Sequence, residues 1–284
     1  MNFGGIPTAC SDYESSPIVI LPVPFDGTST WIKGADKGPA AILEASANME
    51  LYDIETDSEV YLKGIHTADP VIEKTSPERM TRLVHDTICK FLDDGKFVVT
   101  LGGEHSVTIG AVRAFAEQMP GLSVLQIDAH TDMRQEYEGS RFNHACVMAR
   151  VREICPFVQV GIRSMDVTEK PYLLKDRIFF AKDIVGGNSS WIDEVIEKLN
   201  YHVYVTIDLD GFDPSIMPAT GTPEPGGLSY FDVINLMRKL IVEKNLLGFD
   251  VVELCPQENS KASDFLASKL IYQLLSFQFM NKNK

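Results

Sequence analysis

Long apolar runs are missing from this sequence. No stretch approaches the roughly 18 residues that cross a bilayer; the most apolar candidate, 17–25, is short and carries three prolines. Positive charge is also scarce. The 26 Lys and Arg stand against 40 Asp and Glu, a formal net charge of −14. That surplus repels phosphates and anionic lipid, which argues against nucleic-acid and membrane partners and favours a small cation. Cysteines are few. Cys10, Cys89, Cys146, Cys155 and Cys255 are odd in number, scattered, and form no C-x-x-C pair. They read as reduced thiols of a cytoplasmic protein rather than a disulfide framework. The N-terminal MNFGGIPTAC lacks the basic and apolar regions of a signal peptide. No repeat, Pro/Gly/Ser linker or block of like charge divides the chain, so one domain over 1–284 is expected.

What is present is an alternation of short β-rich apolar runs with helical patterns. The runs are 17–23, 97–101, 123–128, 157–162, 203–208 and 248–254. Their near-continuous apolar character suits strands covered on both faces. Between them, helical spacing predicts helices over 39–51, 77–93, 107–119, 191–200, 231–244 and 263–277. Ser76 stands before Pro77 as an N-cap candidate. The alternation predicts an α/β fold, a three-layer αβα sandwich on a mostly parallel sheet. In such sheets ligands bind beyond the carboxyl ends of the strands.

Polar clusters stand where three of the apolar runs stop. They are Gly102-Gly103-Glu104-His105-Ser106, Asp128-Ala129-His130-Thr131-Asp132 and Asp208-Leu209-Asp210-Gly211-Phe212-Asp213-Pro214. In extended chain, residues i, i+2 and i+4 share a side. Asp128, His130 and, if the extension persists, Asp132 then converge, as do Asp208 and Asp210. His105 after its glycines, or Asp-x-Asp by itself, reads as an ordinary loop or turn, whereas Asp-x-His-x-Asp after a buried strand already favours metal. Together they supply two imidazoles and four carboxylates, which repel one another unless cations intervene. Two divalent ions balance four carboxylates. A thiolate-free, carboxylate-rich set suits Mn²⁺ better than structural Zn²⁺, with Co²⁺ or Ni²⁺ also compatible.

These segments resemble the ureohydrolase family: arginase, agmatinase and related amidinohydrolases. Gly221-Thr222-Pro223-Glu224-Pro225-Gly226-Gly227 and Gly34-Ala35-Asp36-Lys37-Gly38-Pro39 extend the likeness over nearly the whole chain. The resemblance implies an arginase/deacetylase-like fold and two Mn²⁺ ions. One ion would be held by His105, Asp128, Asp132 and Asp208, the other by Asp128, His130, Asp208 and Asp210. Asp128 and Asp208 would bridge them, as would a hydroxide oriented by Asp132. It further implies that His144 shuttles protons and that Glu224 pairs with the substrate guanidinium. The implied reaction is attack by the bridging hydroxide on a guanidino carbon, releasing urea and an amine. Oligomers, trimers or hexamers, are usual in the family. Two departures stand out: Glu104 replaces a frequent Asp, and an Arg that relatives often carry after the Gly-Pro is absent at Ala40.

The run Met133-Arg134-Gln135-Glu136-Tyr137-Glu138 looks more like agmatinases than arginases, which carry an Asn shortly after the equivalent of Asp132. It implies agmatine as substrate and putrescine as product, with Glu136 or Glu138 facing an ammonium tail. Arg134 could instead bind a carboxylate, which keeps a guanidino acid such as 4-guanidinobutyrate, or another arginase-type substrate, in view. Two other classes stay open: a single-Zn²⁺ deacetylase and a metal-binding scaffold without catalysis.

Overall fold

A computed structural model describes residues 1–280. Its centre is one eight-stranded sheet. The strands are β1 (Ile18–Val23), β2 (Ile65–Thr67), β3 (Phe97–Gly102), β4 (Leu122–Ile127), β5 (Phe157–Ile162), β6 (Ile178–Phe180), β7 (His202–Asp208) and β8 (Asn245–Val252). They lie in the order β2-β1-β3-β8-β7-β4-β5-β6, and every neighbouring pair is parallel. The "mostly parallel" expectation thus becomes wholly parallel for the described strands.

Helices cover both faces, because parallel strands need crossovers and each crossover helix buries one apolar stripe. They are α1 (Gly38–Ser46), α2 (Pro77–Asp93), α3 (Val107–Gln118), α4 (Val147–Val151), α5 (Ala181–Ile184), α6 (Ser190–Lys198), α7 (Tyr230–Glu243) and α8 (Ala262–Met280). One core forms beneath α1, α6, α7 and α8, where Val203, Val205 and Ile207 of β7 meet Val233, Leu236 and Leu270. The other forms beneath α2 and α3, where Tyr204 and Val252 meet Met80, Val84, Ile88 and Phe115. Successive residues of β7 therefore feed opposite layers, as the pleat requires.

Local chemistry sets the helix ends. Ser76 Oγ accepts the Arg79 N–H at 3.2 Å, so the predicted N-cap of α2 is present. Helix α1 stops at Ser46 rather than at the expected Leu51. There the amides of Asn48 and Met49 turn back to the carbonyls three residues earlier, at 3.0 and 3.5 Å, which ends the α-helical ladder.

The four central strands β3, β8, β7 and β4 end close together. Leu101 pairs with Val251, Val251 with Ile207, and Ile207 with Ile127. That alignment delivers the three polar clusters, plus the segment after β8, to one edge of the sheet.

Candidate metal centre

His105 follows β3 through a tight exit. A Cβ on Gly103 would lie 2.0 Å from the Phe25 carbonyl oxygen, so only glycine lets the chain pass. The imidazole is fully buried. Its Nε2 lies 2.9 Å from Thr206 Oγ1, and that hydroxyl donates to Asp250 Oδ1 at 2.6 Å. With its proton given to Asp250, Thr206 must accept from His105 Nε2, which leaves Nδ1 to face the site; against burial, the Asp128, Asp132 and Asp208 carboxylates there hold the imidazole protonated well above its usual range. Nδ1 faces Asp132 Oδ2 at 2.9 Å, Asp128 Oδ2 at 3.2 Å and Asp208 Oδ2 at 3.3 Å. No hydrogen bond of acceptable angle satisfies it. A buried ring nitrogen held protonated by three carboxylates marks a position where a metal cation can replace the proton.

The second cluster follows β4. Asp128 is buried; its Oδ2 accepts from Gln126 Nε2 and its Oδ1 from the His130 amide, both at 2.6 Å. His130 Nδ1 lies 2.9 Å from Asp210 Oδ2 and 3.7 Å from Asp128 Oδ1. The extended chain does not persist to Asp132. That residue adopts φ of 50°, a left-handed conformation uncommon outside glycine, and Met148 and Ala149 donate their amides to its carbonyl at 3.0 and 3.2 Å. The convergence expected from alternation is achieved instead by a strained turn pinned to α4. The third cluster follows β7. Asp208 Oδ1 accepts the Asp210 amide at 2.9 Å, and Asp210 Oδ1 accepts the Ala129 amide at 3.0 Å.

Donor atoms thus gather in two groups, His105–Asp128–Asp132 and Asp128–His130–Asp210, and Asp128 belongs to both. Asp208 touches the first group through His105. Without a cation the cluster is electrostatically frustrated. Burial and the Asp128 carboxylate, opposed in part by the neighbouring imidazoles, push Asp132 up to about 7, and burial with the Asp210 and Asp128 carboxylates pushes Asp208 well above the usual carboxylate range. Against the opposing effect of burial, Asp210 and Asp128 hold His130 protonated up to about 12.

The cluster floors a cleft of about 300 Å³ whose walls include Trp31, Arg134, Tyr137, His144 and Glu253. Burial, with His105 and His130 nearby, lowers His144 to about 4. It is therefore a neutral imidazole near pH 7. Thr28 Oγ1 donates to Glu104 Oε2 at 2.8 Å and faces His144 Nδ1 at 3.1 Å. That chain leaves Nε2 of His144 as its proton-accepting nitrogen. Glu224 is half-buried beside the cleft, with Oε1 3.9 Å from His130 Nε2. Arg134 lines the cleft but is occupied: Nη2 is 3.3 Å from Asp166 Oδ2, Nε is 3.8 Å from Glu169 Oε1, and its guanidinium stacks 4.4 Å over Tyr137. Glu136 and Glu138 are exposed and lie outside the cleft lining.

Several contributing residues escaped the sequence reading. Arg163 donates to the carbonyls of Asp210 at 2.6 Å and Glu224 at 2.8 Å, fastening two site loops together. Glu253, at φ of 65°, accepts the His105 amide at 2.7 Å. Glu169 accepts from Thr131 Oγ1 and from the Met133 amide, holding the turn around Asp132. Asp250 and Glu253 did leave a signal: two acids inside the apolar run 248–254, where a buried charge needs a partner. Glu104, a departure of no evident consequence in the sequence, is fully buried and connects through Thr28 to His144.

Comparison with known proteins agrees with this geometry. The profile described as Arginase family matches residues 16–276. An N(1)-aminopropylagmatine ureohydrolase of Synechocystis is 40% identical, over 95% of this chain and 91% of its own length. An agmatinase of Pyrococcus horikoshii is 33% identical, over 93% of each chain. The crystal structure of agmatine ureohydrolase of Thermoplasma volcanium superposes with a TM-score of 0.87 at 31% identity, covering 98% of this chain and 94% of that one.

Proposed function

The chain belongs to the arginase family, and from that premise we propose that it is an agmatinase-type ureohydrolase that removes urea from a cationic guanidino amine. The observation that carries this reading is the pair of imidazole–carboxylate groups sharing Asp128 at the floor of one cleft. His105, Asp128, Asp132 and Asp208 would hold one Mn²⁺, and Asp128, His130, Asp208 and Asp210 a second. The unsatisfied Nδ1 of His105 and the excess of carboxylates support the fit. Two such ions supply a water acidic enough to be a nucleophile near neutral pH.

The protein's own groups do the rest. Glu224 offers a carboxylate to the planar guanidinium and fixes its carbon over the cluster. Asp132 would accept the proton that the attacking water gives up and relay it towards the leaving amine. His144, neutral and with Nε2 free, takes a proton from solvent and delivers it to the leaving amine, which leaves poorly as an anion. We take residues 1–284 as one domain, because the proposed ligands come from the ends of β3, β4 and β7 in one sheet.

The tail of the substrate is read from charge. Arg134 is already neutralised by Asp166 and Glu169, so no free cation awaits a substrate carboxylate in that wall. This favours an amine over arginine or 4-guanidinobutyrate. Trp31 and Ile32 remain exposed at the cleft mouth, apolar cover for a polymethylene chain. Relatives named N(1)-aminopropylagmatine ureohydrolase stand at 33–40% identity and relatives named agmatinase at 32–33%. We therefore take agmatine, bare or aminopropyl-extended, as the substrate and the matching polyamine (putrescine from agmatine) as the product. A cytoplasmic setting and a trimeric or hexameric assembly accompany this reading; no described helix is long and apolar enough to cross a membrane. Urea release with Mn²⁺ tests it across agmatine, N(1)-aminopropylagmatine, arginine and 4-guanidinobutyrate. A higher kcat/KM for both amines than for either acid is expected; equal or better turnover of arginine overturns the tail assignment. One bound ion in place of two would favour a deacetylase-like centre, and absence of urea from all four a scaffold.

A further inference from the structure

Far from the strand ends, α2 and α3 bring a second and chemically different set of donors together. His85 and Cys89 stand one turn apart on α2, and Glu117 comes from the last turn of α3. His85 Nε2 lies 3.0 Å from Glu117 Oε2 and 3.7 Å from Cys89 Sγ. All three donor atoms fall within 4.8 Å of one another. The other ring nitrogen, Nδ1, is 2.9 Å from Asp86 Oδ1. A carboxylate on one imidazole nitrogen, with anionic or thiol donors clustered at the other, is how metal-binding histidines are oriented.

The spacing suits a tetrahedral ion. Zinc bond lengths imply tetrahedral edges of about 3.3 Å between N and O and about 3.6 Å between N and S. The observed separations need only small side-chain shifts to match them. The two helices are also held at a fixed distance, because a Cβ on Gly110 of α3 would lie 2.4 Å from the Thr81 carbonyl of α2. Glu117 is largely exposed and His85 partly so, which leaves an entry path and room for water as a fourth ligand.

We propose that His85, Cys89 and Glu117 form a Zn²⁺ site that clamps α2 to α3. A thiolate with an imidazole selects Zn²⁺ over Mn²⁺, the reverse of the thiolate-free cluster at the strand ends. On binding, the Cys89 S–H bond gives way to a sulfur–zinc bond and the proton goes to solvent. Glu117 lies ten residues along α3 from Val107, roughly 15 Å down the helix axis, so this site is separate from the cleft.

Co²⁺ serves as the spectroscopic probe, titrated into full-length protein already loaded with Mn²⁺. The expected result is a thiolate-to-cobalt charge-transfer band that saturates at one equivalent and is bleached by Zn²⁺. Cys89→Ser should abolish the band, and His85→Ala should weaken binding at least tenfold. No band in the wild-type protein would reduce the cluster to an ion pair of His85 with Asp86 and Glu117 and overturn the proposal. A band that survives in Cys89→Ser would assign it to another thiol and overturn it equally. Urea release by Cys89→Ser should match wild type, so the outcome at this site and the fate of the ureohydrolase reading are read independently.

Discussion

Asp128 and Asp210 are both buried acids within hydrogen-bond reach of loop amides, yet they differ in what they join. Asp128 belongs to both donor groups and Asp210 to one. Asp128→Ala should therefore strip both metals, whereas Asp210→Ala should retain one of the two at moderate Mn²⁺; metal analysis after gel filtration distinguishes them. Glu224 acts at longer range. A guanidinium approaching two dications needs a fixed anion beside it, and Gln keeps the shape while removing the charge. Weakening charge-assisted hydrogen bonds at roughly 1–3 kcal/mol predicts a loss of about 5- to 150-fold in kcat/KM for Glu224→Gln. Bound metal should be unchanged. Near-wild-type kinetics would leave Glu224 as a loop acid with no part in recognition.

The N-terminus of α2 gives a prediction that belongs to an element. Glu73 Oε1 accepts from the amides of Lys74 and Thr75 and from Thr75 Oγ1, each at 2.9 Å, and Arg79 lies 3.1 Å from its other oxygen. These hydrogen bonds lower its carboxyl from 4.5 to about 2. A depressed folded value stabilises the folded state fully above the unfolded value and loses that contribution as pH falls through the folded one. Glu73→Gln should thus lower the urea midpoint at pH 7, and the gap from wild type should close progressively between about pH 4.5 and 2. A gap independent of pH would show that shape rather than charge holds this turn. Elements of this size also mark what the sequence made readable. The six strands with long apolar runs were legible because both of their faces are covered. Strands β2 and β6 were not: each is a three-residue edge strand with half-buried positions, too short to set a pattern. Helices α4 and α5, of five and four residues, complete barely one turn and show no period. At the site, the alternation Asp-x-His-x-Asp anticipates that its three residues lie near one another but not how, since Asp132 returns through a left-handed turn that nothing in its own residue type announces and joins His105 and Asp128 rather than His130. Arg163 was invisible because its contacts are to main-chain carbonyls of distant loops, which no local spacing encodes.

At the scale of the molecule, metal binding and folding share one free energy. Binding only to the folded chain at 100 times Kd stabilises by about 2.7 kcal/mol per site, which for a chain of 284 residues predicts a rise in Tm of about 4–5 °C for the first ion. Thermal melts with EDTA and with Mn²⁺ check this, and an unchanged Tm would mean the donor cluster does not close around a cation. The strand order carries a different consequence, one of timing. A chain made from its N-terminus delivers β3 with residues 97–102 and β7 with residues 202–208, but β8, which lies between them, comes with residues 245–252. Until the ribosome has released β8, the sheet is two open-edged halves, with His105 at the end of one and Asp128, Asp132 and Asp208 at the ends of the other. A half-made chain therefore brings together only the second donor group, Asp128–His130–Asp210, and lacks the first. His105 joins Asp128, Asp132 and Asp208 in one late event, and capture of an ion at that first group dates the moment at which synthesis has passed the last interior strand.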